Sequence, residues 1–248
     1  MKRRFSSGFT LVELMVVIAI IGLLSSFAVV SFRNAKEKAR VAAAQHLSRS
    51  ILDGIGEYAV GVWGFDECAG SAVRDGSGQG HNGTMTYGTT WSTDTPLGIG
   101  CSLTFDSAVS GETYVDPDFT WALRNNSFTV SLWIKTATDD SGVILSQDDT
   151  PILLEGSNGY LHTCLTSPTC ATGSKRYNDG KWHLIIVTGN QDSIRIFVDN
   201  LSTPYMTTPN TPTTLTGNLA IGHLYHGGWG FTGLIDDVNV YQAEVMAR

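Results

Sequence analysis

The sequence predicts an α+β protein in which a long N-terminal helix is followed by an antiparallel β-sandwich. The first observation is an apolar run at residues 9–32, where Glu13 is the only ionisable side chain. The second is that, from Val60 onward, apolar and polar residues alternate in short segments separated by Gly, Pro, Asn and Asp, as strands and turns do. The length of 248 residues allows one sizeable domain beyond the helix, or two small ones.

The apolar run is long enough to cross a membrane. Its 24 residues would form a helix of about 36 Å, against a hydrocarbon core of about 30 Å. Three cations, Lys2, Arg3 and Arg4, precede the run, and a long chain follows it. This asymmetry predicts a cytoplasmic N-terminus, a single pass through the inner membrane and an external C-terminal domain.

The small residue Gly8 stands before the apolar run, whereas a secretory signal has its small residues after the apolar core. Cleavage after Gly8 would therefore leave the apolar segment on the mature protein. The sequence Gly8-Phe9-Thr10-Leu11-Val12-Glu13 resembles the type IV prepilin family, which comprises pilins and secretion pseudopilins. The resemblance covers roughly residues 1–58. The alternative is a plain signal anchor with a stray glutamate.

This resemblance implies a leader at residues 1–8, cut between Gly8 and Phe9 by a prepilin peptidase that also methylates the new Phe9 amine. It further implies extraction of the subunit into a helical filament of pilin subunits. A carboxylate within a membrane span needs a partner. In a filament, the partner of Glu13 would be the Phe9 amine of a neighbouring subunit, an attraction strengthened by the low dielectric of packed helices. Phe9 and Glu13 are therefore the predicted assembly residues.

A second helical signal at residues 33–58 predicts that the helix continues as an amphipathic segment. Apolar residues recur there at spacings of three and four, which gives one stripe to pack on the following domain. The stripe consists of Ala35, Ala39, Ala42, Ala43, Leu47, Ile51, Ile55 and Tyr58. Gly54 and Gly56 mark the expected end. A coiled-coil dimer is the alternative use of this stripe.

The domain at residues 60–248 contains ten predicted strands. In residues 128–135, Phe128, Val130, Leu132 and Ile134 fall on one face and polar residues with Trp133 on the other. Many short alternating strands indicate two packed antiparallel sheets. The predicted strands span residues 62–66, 102–105, 128–135, 143–146, 152–154, 160–164, 182–188, 194–199, 219–221 and 234–241.

Four cysteines, Cys68, Cys101, Cys164 and Cys170, all follow the predicted anchor. An even number in an oxidising compartment indicates two disulfides, with three possible connectivities. The short spacing between Cys164 and Cys170 favours a local bridge, which would leave Cys68 to pair with Cys101. No spacing typical of a zinc site occurs.

Short motifs in residues 60–248 resemble the laminin-G-like, or concanavalin A-like, jelly rolls of bacterial surface proteins. Each motif is weak alone, but they occur in the family's order. The resemblance implies a jelly roll whose first and last strands pair, with loops that serve adhesion or sugar binding. The matching segments are residues 63–67, 75–84, 102–106, 128–135, 180–183, 196–199, 221–222 and 231–241.

The sequence argues against an enzyme and against nucleic-acid binding. Concanavalin A-like glucanases carry a Glu-x-Asp-x-x-Glu strand that places acid and nucleophile in one cleft, and this chain has none. Asp236 and Asp237 are adjacent, so on a regular strand they would point to opposite faces. The formal charge of −7 does not suit a nucleic-acid surface.

No cofactor is required, but a structural calcium ion is a candidate. Asp75 and Asn82 lie in a Gly-rich loop that resembles a family loop near the final strand, where Asp236 or Asp237 could complete an oxygen shell. The alternative is that Asp75 and Asn82 only cap turns.

Exposed aromatic residues are the candidates for glycan or surface recognition. Tyr225, His226 and Trp229 lie in a Gly-rich loop between two strands, and Tyr87 with Trp91 forms a second cluster. The alternative is that Tyr225 and Trp229 plug the edge of the sandwich. The sequence thus favours a pilin-like subunit with a lectin-like head. A pseudopilin of a type II secretion or DNA-uptake system is the second hypothesis, and a membrane-tethered glycan-acting enzyme the third.

Overall fold

A computed structural model describes residues 8–86, 88–108, 114–121, 126–140, 142–148, 150–155, 158–165, 170–210, 217–224 and 229–245. The chain divides into two compact units, residues 1–42 and residues 43–248. The predicted boundary between helix and head lay near residue 59. The second unit instead begins within the helix, because the last turns of the helix belong to the head.

One helix, α1, spans Leu11–Ile55, and a 3₁₀ turn at Gly56–Tyr58 ends it. The helix therefore ends between Gly54 and Gly56, where the sequence predicts its end. Among the described residues, α1 is the helix long and apolar enough to cross a membrane, and its most apolar 18-residue window is 0% buried. A series of exposed apolar side chains runs from Phe9 to Phe32.

Within the described residues, the head contains 17 strands. All ten predicted strands form, with ends that differ by at most three residues. The seven unpredicted strands are short or polar. The strands are β1 Ala59–Trp63, β2 Ala72–Val73, β3 Gly83–Met85, β4 Thr90–Ser92, β5 Ser102–Phe105, β6 Val115–Asp116, β7 Thr120–Trp121, β8 Phe128–Lys135, β9 Gly142–Gln147, β10 Thr150–Glu155, β11 Tyr160–Thr163, β12 Ala171–Arg176, β13 His183–Gly189, β14 Ser193–Val198, β15 Met206–Pro209, β16 Gly217–Ile221 and β17 Gly233–Tyr241.

The strands form two antiparallel sheets. The first sheet has the order β15-β14-β13-β8-β17-β5-β4, with β1 also paired to β17. The second has the order β12-β11-β10-β9-β16-β6-β3-β2, with β7 paired to β16. The first and last strands of the head therefore pair, in a register that places Trp63 opposite Val238. This pairing matches the expected jelly roll.

The main core lies between the two sheets, and a second apolar layer lies on the outer face of the first sheet. Phe128, Val130, Leu132 and Ile134 of β8 all belong to the main core, as their alternation predicts. The other face of the first sheet is also buried, although the pattern of β8 alone suggested a polar surface. Its fully buried apolar residues are Trp133, Leu184, Ile186, Phe197 and Tyr241.

The end of α1 contacts the head. Ala44 and Ile51 are buried, and the Gln45 side-chain amide donates to the Pro96 carbonyl at 2.8 Å. The predicted stripe is partly wrong, because Ala42 and Ala43 are exposed whereas Ala44 is buried. The buried face is therefore rotated from the predicted one, since the docking surface, and not the apolar period alone, selects which alanines are covered.

Two disulfides staple the head, in the pairing that the sequence favours. One joins Cys68 to Cys101, with Cα atoms 5.5 Å apart, and the other joins Cys164 to Cys170. The first ties the loop after β1 to the start of β5. By cross-linking distant parts of the chain, this bridge also fixes one wall of the acidic cavity described below.

Candidate functional site

The residues around the predicted processing point form the start of α1. Gly8 and Phe9 precede the helix, and the Phe9 side chain is 85% exposed. Residues 1–7 of the leader lie outside the described residues. The Thr10 amide and hydroxyl both donate to Glu13 Oε2 at 2.8 Å, and the Glu13 amide donates to Thr10 Oγ1 at 3.2 Å. This reciprocal arrangement is a capping box.

The capping box gives Glu13 a partner that the sequence analysis did not assign. Both bonds from Thr10 go to one carboxylate oxygen, Oε2, so Oε1 is left to accept from another donor. Glu13 can therefore cap its own helix and still face a neighbouring amine. Thr10 was missed as a functional residue, although Thr-x-x-Glu before an apolar run is a recognisable signature of a helix start.

The loop that contains Asp75 is held by that side chain. Asp75 Oδ1 accepts from the amides of Val62 at 3.0 Å and Ser77 at 2.8 Å. Asp75 Oδ2 accepts from the Ser77 hydroxyl at 2.7 Å and the His81 amide at 3.0 Å. Asn82 Oδ1 accepts from the Asp75 amide at 3.0 Å. Because a carboxylate offers about four acceptor positions, these donors saturate Asp75.

A cavity of about 350 Å³ lies at the opposite side of β1 and is lined by three carboxylates. Asp236 and Asp237 come from β17, and Asp66 comes from the segment after β1. Leu97 and Ile99 form an apolar rim, and Ile99 is 73% exposed. Gly100 allows the close approach of Asp66, because a Cβ there would lie 2.0 Å from Asp66 Oδ1.

The expectation that Asp236 and Asp237 point to opposite faces is wrong. The register of β17 against β8 shifts between Asp236 and Asn239, and Asp237 has a φ of +48°. This β-bulge turns both side chains toward the same cavity, as bulges commonly do. Asp66 was not singled out from the sequence, since its place beside β17 depends on the pairing of the first and last strands.

Burial raises the pKa values of both β17 carboxyls. The pKa of Asp236 rises to about 8, chiefly because the side chain is buried and then because Asp237 and Asp66 are negative. The pKa of Asp237 rises to about 6, again by burial first and then by Asp66. The Asp237 amide donates to Asp236 Oδ1 at 2.9 Å. Burial beside two other carboxyls therefore favours the protonated form of Asp236.

Asp75 and Asn82 are not among the residues that line the cavity of Asp236 and Asp237. Both carboxylate oxygens of Asp75 accept hydrogen bonds from its own loop and from β1, which fits the turn-capping alternative. Among the described residues, no group of three or more His, Cys, Asp or Glu side chains has an arrangement suited to a metal. The role of Asp236 and Asp237 as calcium ligands stays a prediction.

Trp229 is the prominent aromatic residue on the surface of the head. Its side chain is 61% exposed, whereas its carbonyl accepts from the Val143 amide at 3.1 Å. The Trp229 backbone is therefore hydrogen-bonded while most of its side chain faces solvent, which does not fit the role of an edge plug. Nearby, buried His223 stacks on Tyr114 with ring centroids 5.7 Å apart.

The other predicted aromatic contacts have different outcomes. Tyr225 and His226 lie outside the described residues, as does Tyr87. The Trp91 indole donates to the Gly70 carbonyl at 2.8 Å and packs partly against the core. Trp91 therefore serves the fold, and Trp229 remains as the described recognition candidate.

The chain thus combines an apolar helix that is long enough to span a membrane with a head that is a two-sheet β-sandwich. The chain belongs to the concanavalin A-like lectin/glucanases superfamily, whose model matches residues 109–247. It also carries the prokaryotic N-terminal methylation motif of prepilins, matched at residues 3–29. A relative is the fimbrial protein EcpC of Eikenella corrodens, 27% identical over 134 residues, which are 51% of this chain and 88% of EcpC.

Solved structures share the fold of the head at low sequence identity. Domain 4 of AbnA, an extracellular arabinanase of Geobacillus stearothermophilus solved with arabinotriose, has a TM-score of 0.56 and 18% identity. That match covers 76% of this chain and 94% of the domain. The receptor-binding domain of botulinum neurotoxin D has a TM-score of 0.54 and 14% identity, over 77% of this chain and 51% of that one. At these identities the likeness shows the fold alone.

Proposed function

We propose that this protein is a type IV pilin-like subunit that assembles through α1 and displays the sandwich for adhesion. The observation that carries the proposal is the exposed apolar surface of residues 9–32, most of which lies within the N-terminal methylation motif matched at residues 3–29. An isolated apolar surface of this size is unstable in water, so it requires lipid or other apolar helices as its surroundings. A membrane supplies the first surrounding before assembly, and a filament supplies the second afterwards.

In this proposal, a peptidase cleaves between Gly8 and Phe9 and the Phe9 amine is methylated. The Thr10–Glu13 capping box presents Glu13 Oε1 at the start of the helix. The positively charged Phe9 amine of a neighbouring subunit is the partner for this oxygen. The fimbrial relative supports assembly with other pilin subunits.

For the head, we propose that Trp229 stacks on a glycan of the contacted surface. Sugar rings pack on flat aromatic faces, and amphipathic aromatics with solvent-exposed rings are typical contact residues. The Trp229 carbonyl is already hydrogen-bonded to the Val143 amide, so this residue itself needs little ordering on binding. We also propose that the head is not an enzyme. The three cavity carboxylates lie under an apolar rim, and no Glu-x-Asp-x-x-Glu strand faces a cleft.

Electron microscopy of sheared surface material, with mass spectrometry of the N-terminal peptide, tests the filament role. We expect filaments that contain a peptide starting at methylated Phe9. Cleaved and methylated protein that stays in the membrane would instead favour a pseudopilin. An intact Met1 leader would contradict both.

Glycan-array binding of the isolated filaments tests the role of Trp229. Trp229→Ala should abolish binding, whereas Trp91→Phe, which keeps an aromatic ring against the core, should not. Both variants should assemble normally, because Trp229 is exposed and Trp91→Phe keeps the aromatic contact with the core. Unchanged glycan binding by Trp229→Ala would refute this site.

A further inference from the structure

The charges of the chain are divided unequally between the helix and the head. Residues 59–248 contain 8 basic and 19 acidic side chains, a formal charge of −11. Directly after the apolar run, Arg33, Lys36 and Lys38 are all exposed on α1. Here these three residues are called the basic collar. Arg40, one turn further on, is ion-paired with Glu37 at 2.5 Å.

The basic collar lies at the end of the membrane span where Lys and Arg are normally disfavoured. If the head is external, as the proposed function requires, the collar flanks the external end of the span. Lys and Arg are favoured on the cytoplasmic flank, so cations on the external flank oppose the orientation that the leader sets. A binding role would explain cations at this position.

Three cations of the head are paired with carboxylates of the head itself. Lys135 pairs with Asp94, Arg195 pairs with Glu244, and Lys181 lies 3.3 Å from Asp179. Exposed carboxylates remain on the surface, among them Asp118, Asp140 and Asp192. The head therefore presents a negative field, and the collar presents a positive one.

We propose that the basic collar is an interaction surface for the acidic head of a neighbouring copy of this chain. The proposal rests on the proposed function, because only a filament brings many heads close to many helices. Opposite charges of this kind set the register of packed partners more than they add affinity. The collar would thus help to place each subunit along the filament, in addition to the pairing of Glu13.

The test compares two doubly neutralised full-length variants in cells that produce filaments. The collar variant is Arg33→Gln with Lys36→Gln. The matched control is Lys175→Gln with Arg176→Gln, which removes one Lys and one Arg from the exposed strand β12. Glutamine retains good helix propensity, so α1 should still form.

The readout is the ratio of sheared filament protein to membrane precursor. We expect the collar variant to lower this ratio roughly fourfold, since each exposed pair is worth about a factor of two. The control should stay near wild type. Raising the salt from about 0.1 M to about 1 M shortens the Debye length from about 10 Å to about 3 Å, and should loosen wild-type filaments more than collar-variant filaments.

Equal filament ratios and equal salt sensitivity of the collar variant and the control would overturn the proposal. So would unchanged filaments together with lost binding of the collar variant to vesicles rich in anionic lipid, which would assign the collar to lipid headgroups. Failure of the proposed function is visible separately, because wild-type protein would then form no filaments at all.

Discussion

Replacement of Asp236 by Asn should stabilise the protein at neutral pH, and more so as the pH rises. In the folded protein, burial raises the pKa of Asp236 to about 8 from a reference value of 3.8. The unfolded chain releases this proton near pH 4, so between these values the unfolded state binds fewer protons than the folded state. Stability therefore falls as the pH rises through this window.

The size of the effect follows from the two pKa values. Each pH unit between them lowers the free energy of unfolding by about 1.4 kcal/mol, which gives about 4 kcal/mol at pH 7 and about 2 kcal/mol at pH 5. Asparagine matches aspartate in shape and keeps the oxygen that accepts from the Asp237 amide. The substitution therefore removes the ionisation penalty without opening a cavity. These values are upper limits, because Asp237 and Asp66 share the cavity and respond to the change.

The assay is denaturant unfolding of the full-length protein in detergent, followed by tryptophan fluorescence from pH 5 to pH 8. Asp192→Asn is the matched control, since it makes the same chemical change at an exposed carboxylate. The control should shift the free energy of unfolding by less than about 0.5 kcal/mol. If the curves of wild type and Asp236→Asn ran parallel across this pH range, Asp236 would be ionised in the folded protein and the reasoning would be refuted.

Three further predictions concern other parts of the chain. Replacing both cysteines of the Cys68–Cys101 bridge by serine should lower the free energy of unfolding by about 4 kcal/mol, and the same change at Cys164–Cys170 by about 2 kcal/mol. The difference arises because the first bridge closes a longer loop. Equal losses in denaturant unfolding would contradict this. Thr10→Ala should lower the stability of the first helical turn by about 1 kcal/mol and speed amide hydrogen exchange at Glu13, whereas Thr10→Ser should not. Calcium should leave the Tm unchanged, because Asp75 is saturated by loop donors; a calcium-dependent rise that Asp236→Asn abolishes would restore the cation site.

The long strands could be predicted from the sequence because alternation of apolar residues is a local signal. Strands such as β8 and β14 reveal themselves by their own side chains. The missed strands β2, β6 and β7 have two residues each, too few to show a period. Strand β12 is exposed and polar along most of its length, so its sequence Ala-Thr-Gly-Ser-Lys-Arg reads as a loop. It forms because it pairs with β11 and closes the edge of the second sheet.

The same distinction applies to the candidate sites: those formed by consecutive residues could be predicted, and those formed by residues far apart in the chain could not. The motif around Gly8 and Glu13 is local and could be predicted. The cavity of Asp66, Asp236 and Asp237 could not, since it needs both the pairing of β1 with β17 and a bulge in β17. Alternation gave the wrong side for Asp237, because a bulge changes the face on which every later residue lies.

Truncation within α1 tests whether the end of this helix stabilises the head. Ala44 and Ile51, near the end of α1, are buried, and Gln45 between them bonds to the head at Pro96. A head that starts at residue 60 would lack these residues and would expose the surface that they cover, at about 1.5–3 kcal/mol for each large side chain exposed. A head that starts at Ala43 would keep it covered. We therefore expect the longer fragment to be monomeric and cooperatively folded, and the shorter one to aggregate or melt at lower temperature. Equal melting temperatures for the two would show that the helix end lies on the head without stabilising it. Among the described residues, the Glu13 side chain bonds to Thr10 alone, so its substitution in the full-length chain should leave the core of the head unaltered, and its effects should appear in assembly.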